Sequence, residues 1–298
     1  MRNHCISILI LAALCALPAG AQNQDSFTPM PLDAGFGPLD FTTPAIPPEK
    51  IVADFTAQEA TYRDALHHYT YRRVARVDTI DDDTHKVDGE YYEVDDVIFD
   101  SNGARTEKVV YAPPNTITRV ILMPSDMQDI QHNYQFVLTP ENIGEYDVKY
   151  VGKQRIDQVD CYVFDVTPKL IEKHKRYFKG RIWVDTQELE IVVTNGWMVP
   201  DDTKPGHQDL HPPFMTWRQQ IDGKYWFPVY SIGEGILHFT GGNGSMADDV
   251  HIREVVKYTD YKRFGTSTTI IYNGQDITKN GPQGGTQPNA QPAAQPKK

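Results

Sequence analysis

The chain has 298 residues, a formal net charge of −11 at pH 7 and 23% charged residues, as in an ordinary acidic soluble protein. Its length allows one large domain or two small ones. The acidic balance argues against nucleic acid and anionic membrane surfaces as general partners, because both repel a negative protein.

The first 21 residues have the pattern of a cleaved export signal. A short positive region precedes an apolar run over 6–17, and small residues end at Ala21. The run of about 12 residues is too short to span a bilayer. We therefore expect an exported, periplasmic protein cleaved after Ala21, and we also consider association with the outer membrane. The alternative is lipidation at Cys15, which the bulky Leu14 before it disfavours.

Cleavage would leave Cys161 as the only cysteine. One thiol cannot form an internal disulfide, so the mature fold would depend on burial of apolar surface. Because Cys161 lies in an apolar strand pattern with no base nearby in sequence, we expect a small core residue and not a nucleophile.

Composition divides the rest of the chain into three parts. Residues 22–46 are rich in proline and polar side chains and are expected to be flexible. Residues 47–272 carry the strand and helix patterns and are expected to form a single domain. Residues 273–298 are a low-complexity tail that cannot bury enough apolar surface to order itself.

The domain opens with an amphipathic helix after Pro47 and Pro48. The positions expected on its buried stripe recur at helical spacing, whereas polar residues such as Glu59 are expected elsewhere around the axis. The stripe comprises Ile51, Phe55, Gln58, Tyr62, Ala65 and Leu66.

Strand patterns follow the helix. An aromatic and basic strand is predicted over 69–77, then an acidic solvated loop over 78–83, then a hairpin of 89–100 with 104–112 closed at Ser101-Asn102-Gly103. Between Pro124 and Gly144 the pattern changes. Helix starts at Ser125 and Thr139 predict two short helices that cover a sheet as a lid.

Short runs rich in β-branched and aromatic residues fill the remainder of the domain. They predict strands over 146–150, 161–166, 180–185, 189–194, 214–221, 225–230, 236–240 and 250–264, with a loop over 197–213. The last strand separates apolar from polar residues with a period of two, so one face is buried and one is wet. Nine or ten such strands with few helices predict a mainly β, α+β fold. We expect a strongly curved antiparallel sheet, or an incomplete β-barrel, wrapped around helices.

The order of these elements resembles the LolA/LolB-like group of outer-membrane lipoprotein-sorting proteins. The segments Arg181–Asp185 with Leu189–Thr194, and Tyr225–Pro228, look like recurring strands of that group. The resemblance covers roughly residues 49–264. It implies a half-barrel with an apolar cavity that shields an acyl chain in the periplasm, which is reasonable because each exposed methylene costs about 0.8 kcal/mol.

Two sets of residues are candidates for binding. The cavity candidates are aromatic: Phe55, Tyr62, Trp183 and Trp226. The basic run between Lys169 and Lys179 supplies possible contacts to a lipid head group or an acidic partner, namely Lys173, Lys175 and Arg176. Each set also has an ordinary structural interpretation, as core packing and as a solvated loop.

No signature of catalysis or of a cofactor is present. His207 and His211 have a spacing that suits zinc on a helix, but flanking prolines favour a surface loop. We find no nucleophile elbow, phosphate loop or dinucleotide fingerprint, and expect no metal and no cofactor. The first functional hypothesis is an exported, non-enzymatic carrier of a lipid or lipidated protein. The alternative is an envelope sensor or scaffold that binds a partner protein through surface loops, and a hydrolase ranks third.

Overall fold

The computed structural model describes residues 36–100, 104–122, 126–127, 130, 135–173, 175–200, 212–239, 248–263, 271–272 and 275–276. Helix α1 is Pro48–Leu66. The main strands are β1 Tyr69–Ile80, β2 Val87–Phe99, β3 Arg105–Tyr111, β4 Tyr146–Ile156, β5 Val159–Pro168, β6 Tyr177–Asp185, β7 Ile191–Val199, β8 Phe214–Ile221, β9 Tyr225–Phe239 and β10 Asp248–Arg263. A separate pair joins β11 Ile271–Tyr272 to β12 Gln275–Asp276. No helix in the described ranges is long and apolar enough to cross a membrane.

The ten main strands form one antiparallel sheet in the order β3-β2-β1-β10-β9-β8-β7-β6-β5-β4. Strands that follow one another in sequence pair with each other except β3 and β4, and β10 returns to pair with β1. The predicted hairpin is confirmed by the pairing of β2 with β3. Strands β3 and β4 end the sheet without meeting each other, so the predicted mainly β, open antiparallel fold is confirmed.

Contacts of two adjacent residues show that the sheet curves around its contents. Gln135 Nε2 donates to Tyr71 Oη on β1 at 3.3 Å, while the ring of Phe136 stacks on Phe178 of β6 at 4.3 Å. In a flat sheet β1 and β6, five strand spacings apart, would be separated by about 24 Å. One short segment can contact both strands because the inner face of the sheet, defined here as the face that packs against α1, is concave.

Helix α1 lies on this inner face. It begins after Pro47, with a proline in its first turn, where the missing N–H has no intrahelical partner anyway. Most of the predicted stripe is buried, but two positions differ. Gln58 is exposed and Glu59 is completely buried. The difference arises because an arginine from β8 meets Glu59 inside the protein, as described below.

The region predicted to form a lid packs into the core. Ile130 and Leu138 are fully buried, and Phe136 is 9% exposed. Ser125 lies outside the described residues. The helix predicted to start at Thr139 is instead a turn that leads into a single 3₁₀ turn, Ile143–Glu145. Asn142 Oδ1 accepts the Thr139 N–H at 2.7 Å, a side-chain bond that stabilises the turn.

Two strands are longer than their local sequence predicts. Strand β7 continues to Val199, into the stretch expected to be loop, because β6 pairs with it up to Tyr177↔Val199. Strand β9 is continuous through Gly233, which pairs with both β8 and β10, and through Gly235, which pairs with Ile252 of β10. Pairing with neighbouring strands thus overrides the weak strand propensity of these glycines.

A pair of glycines, one on β6 and one on β7, leaves room for the ring of Phe178 to lie over the two strands. Gly180 lies opposite Gly196. A Cβ added to Gly180 would come within 2.5 Å of the Gly196 Cα and 2.8 Å of the Phe178 ring. The Phe178 side chain therefore occupies the space that side chains at these two positions would otherwise need.

The amino-terminal end of the described chain packs on the outer face, the face opposite α1. Phe36 makes an edge contact with Trp183, with ring centroids 5.2 Å apart. Gln154 Nε2 donates to the Gly37 carbonyl at 2.7 Å, and Asp40 exchanges two backbone bonds with Lys153 on β4. Residues 36–40, within the segment expected to be flexible, thus have defined contacts.

Candidate binding site at the β4 edge

The structure does not bring the four aromatic cavity candidates together. Phe55 and Tyr62 lie on the inner face, 0% and 1% exposed. Phe55 packs on Phe164, and Tyr62 packs on Phe227. The inner surface next to these two residues is therefore covered by side chains of the protein itself.

Trp183 and Trp226 belong to the second apolar cluster, on the outer face. Trp183 Nε1 donates to Gln154 Oε1 at 2.8 Å, and Trp226 Nε1 donates to Glu188 Oε2 at 2.6 Å. Both indoles thus pair their N–H groups, as buried tryptophans generally do.

The predicted basic contacts lie in the connection between β5 and β6. Lys173 is exposed. Lys175 binds Glu145 Oε1 at 2.5 Å, and this bond raises the pKa of Lys175. Arg176 donates to the Pro200 carbonyl at 2.9 Å. Lys175 and Arg176 are therefore bonded to other residues of the chain, and the connection between β5 and β6 lies at the protein surface.

A completely buried ion pair ties α1 to the sheet. Arg218 of β8 donates to Glu59 at 2.7 and 3.1 Å. The same guanidinium donates to the Phe136 carbonyl at 2.6 Å and lies 4.4 Å from the Tyr62 ring centre. One side chain of the sheet therefore binds both the helix and the segment around Phe136. Burial raises the pKa of Glu59, and Arg218 opposes that shift.

A second carboxyl group lies beside this pair. Glu190, at the start of β7, is 5% exposed and accepts the Trp226 backbone N–H at 3.1 Å. Burial raises the pKa of Glu190 to about 7, and the charge of Glu59 adds to the shift, while the Trp226 bond and Arg218 oppose it. Glu190 therefore changes charge near neutral pH.

A cleft of about 690 Å³ opens between the start of α1 and the edge strand β4. This volume is within the usual range for ligand sites. Its walls combine apolar and aromatic side chains with a few charges. The lining residues include Val52, Ile143, Tyr146, Val148, Tyr150, Glu49, Lys149 and Lys169.

The backbone of β4 faces this cleft. Lys169 N–H donates to the Glu145 carbonyl, which identifies a hydrogen-bonded pair of the β4–β5 ladder. Because bonding directions alternate along an antiparallel strand, the peptide groups of Tyr146, Val148 and Tyr150 point away from β5. The Tyr146 N–H donates to the Ile143 carbonyl. Asp40 pairs with the outer edge of β4 at Lys153, and the Tyr150 hydroxyl donates to the Thr42 carbonyl at 3.1 Å. Within the described ranges, no strand pairs with this edge at Val148 and Tyr150.

Two apolar side chains project next to the cleft. Leu170 and Ile171 are 68% and 48% exposed and follow Lys169 directly. The two form an adjacent exposed apolar pair within a basic connection.

Other predicted sites carry no such arrangement. In the described part of the chain, no three His, Cys, Asp or Glu side chains are placed to hold a metal ion. His207 and His211 lie outside the described residues. Cys161 is buried, and burial raises the pKa of its thiol to about 12, which suits a core residue.

Sequence reasoning did not single out Tyr146, Val148 and Tyr150. Their apolar and polar alternation predicts a strand but not its place in the sheet. One signal was available, because β4 follows the irregular region before it and starts the run of consecutive strands, which favours an edge position.

The fold and cleft define an open, mainly antiparallel β-sheet protein with a cleft beside one edge strand. No family model matches the chain, and no curated protein matches it. A LolA superfamily protein from Nitrosomonas europaea is similar at 13% identity and a TM-score of 0.30, over 75% of this chain and 96% of that one. MucB in complex with MucA(peri) is similar at 9% identity and a TM-score of 0.22, over 72% and 99%. Such weak likenesses assign neither a family nor a function.

Proposed function

We propose that this exported protein is a non-enzymatic binding protein that captures an extended segment of a partner polypeptide along the open edge of β4. The observation that carries the proposal is that the peptide groups of Val148 and Tyr150, which line the cleft, point away from β5. Main-chain bonds to an added strand would supply affinity, and the aromatic walls would select side chains. Export rests on the sequence pattern of residues 1–21 alone.

Replacing Val148 by Pro is expected to weaken this binding without unfolding the protein. The Val148 N–H points away from β5, so proline removes no bond within the sheet but removes a donor to the added strand. Peptides would be selected from a random extended-peptide library on the immobilised protein, and their affinities measured by fluorescence anisotropy. We expect a loss of roughly tenfold for V148P.

The matched control is Val148→Thr, which keeps both the shape of the side chain and the N–H. It should bind as the wild type does. Circular dichroism would verify that V148P stays folded. Equal affinities of folded V148P and wild type would exclude strand addition at β4.

A lipid acyl chain is the second candidate, and the exposed Leu170 and Ile171 beside Lys169 favour it. Apolar residues with flanking cations suit the boundary between acyl chains and anionic head groups. The acyl chain would enter the cleft at the β4 edge, because side chains of the protein cover the inner face around Phe55 and Tyr62.

Replacing Leu170 and Ile171 together by Asp is expected to abolish binding to vesicles of mixed zwitterionic and anionic phospholipids, since two charges would have to enter the apolar layer. Vesicle flotation would measure the bound fraction. Exchanging Lys224, in the turn between β8 and β9, for Asp is the control for charge alone. If neither wild type nor control floats with the vesicles, the lipid candidate fails and the polypeptide candidate is unaffected.

A further inference from the structure

A row of side chains crosses the whole outer face of the sheet. Successive cross-strand pairs connect Gly152, Val163, Trp183, Val193 and Trp217, and then continue to Tyr230, Lys257, Val74, Val94 and Tyr111. Directly opposed residues in an antiparallel sheet point to the same face. We name these ten residues the outer row. Apart from Lys257, no member of it is charged.

The outer row is covered at one end and open at the other. Val163, Trp183 and Val193 are at most 2% exposed. Trp217 and Tyr230 are only partly buried, and Tyr111, at the far end, is 57% exposed. A Cβ added at Gly152 would lie 2.7 Å from the Asp40 carbonyl oxygen, so the cover at this end is the close approach of residues 36–40.

The path of residues 36–40 across the outer face shows in which direction the chain crosses the strands. Phe36 contacts Trp183 on β6, and Asp40 pairs outside β4. Four residues therefore cross three strand spacings, about 14 Å. Followed from Asp40 to Phe36, this path runs towards β7, β8 and β9, where the outer row is open.

The length and composition of residues 22–35 fit the part of the outer row between β6 and β3. From β6 to β3 there are seven spacings, about 34 Å. Residues 22–35, which lie outside the described ranges, could span about 46 Å when extended. They contain Phe27, Met30 and Leu32 among small and polar residues. Leu32 precedes Phe36 by four residues, the interval that covers three spacings between Phe36 and Asp40.

We propose that residues 22–35 continue this path along the outer row as a strap, with Leu32 against Tyr230 and Trp217. The strap is an intramolecular partner of the sheet, and its apolar side chains shield the aromatic part of the row from water. Residues 36–40, which follow the strap, pair with β4 at Lys153, beside the edge that faces the cleft. The placement of the strap does not depend on what binds at that edge.

The test is the accessibility of tryptophan to acrylamide in the chain without residues 1–21, in a Trp197→Phe background that removes an indole outside the row. Two variants would be compared with this reference: Leu32→Asp, and a deletion that starts the chain at Phe36. Both should increase quenching of the emission, and L32D should approach the value of the deletion. The matched control is Leu170→Asp, which places the same charge away from the outer row and should leave quenching unchanged.

Two results would overturn the proposal. Unchanged quenching in both the deletion and L32D would show that residues 22–35 do not cover the row. Dimerisation of the reference chain by light scattering, with quenching that depends on protein concentration and not on Leu32, would assign the row to a second copy. Both L32D and the deletion change residues outside the sheet, so we expect the sheet to stay folded and the quenching to report on exposure of the row.

Discussion

Replacing Arg218 by Met is expected to lower the free energy of unfolding by about 3–5 kcal/mol, because it leaves Glu59 buried without a counter-ion. Both members of the pair are at most 4% exposed. The Phe136 carbonyl loses its donor in the same step. Urea unfolding followed by circular dichroism would measure the change.

The double variant Glu59→Leu with Arg218→Met provides the matched comparison. Removing both charges eliminates the desolvation cost together with the attraction, so we expect most of the lost stability to return. Lys50→Met breaks an exposed pair with Asp54 and should cost less than about 1 kcal/mol. If R218M is no less stable than K50M, the pair does not organise the interior.

Replacing Glu190 by Gln is expected to stabilise the protein at pH 8 and to have little effect at pH 5. The pKa of Glu190 is raised by burial to about 7 in the folded protein, so the folded state binds this proton more tightly than the unfolded state does. Stability from this group is therefore present at low pH and is lost as pH rises from the unfolded pKa, about 4.3, through 7.

Glutamine reproduces the neutral form at every pH and can still accept the Trp226 N–H. We expect a gain of about 1–3 kcal/mol at pH 8, allowing for solvent screening. Thermal unfolding at both pH values would measure it. Glu188→Gln is the control, because Glu188 is exposed. A gain that is equal at pH 5 and pH 8 would contradict the assignment, since packing alone would then explain it.

The buried carboxyl group of Glu59 shows where reasoning from the sequence fails. The spacing of Ile51, Phe55 and Tyr62 predicts the buried stripe of α1, and the structure buries all three. The same pattern excludes Glu59, because a lone carboxylate in a core is too costly. The burial is tolerable because Arg218, 159 residues later, pairs with the carboxylate and the Ile191 N–H donates to it.

The aromatic candidates show a second kind of failure. Trp183 and Phe55 are both large and apolar, and composition alone gives no reason to separate them. They lie on opposite faces because strand residues alternate, and the register of β6 directs Ile182 inward and Trp183 outward. The segment 36–40 then hides Trp183 from solvent, a contact that a proline-rich composition does not predict.

By itself, the sequence determined the local elements: the amphipathic helix after Pro47, the β2–β3 hairpin and the mainly β class, because periodicity and turn chemistry act over a few residues. Only the tertiary structure decided which strand ends the sheet, which way its peptide groups point, and which charges meet inside. These depend on contacts between residues far apart in the chain. The open edge of β4 and the Glu59–Arg218 pair exist only once all ten strands are in register.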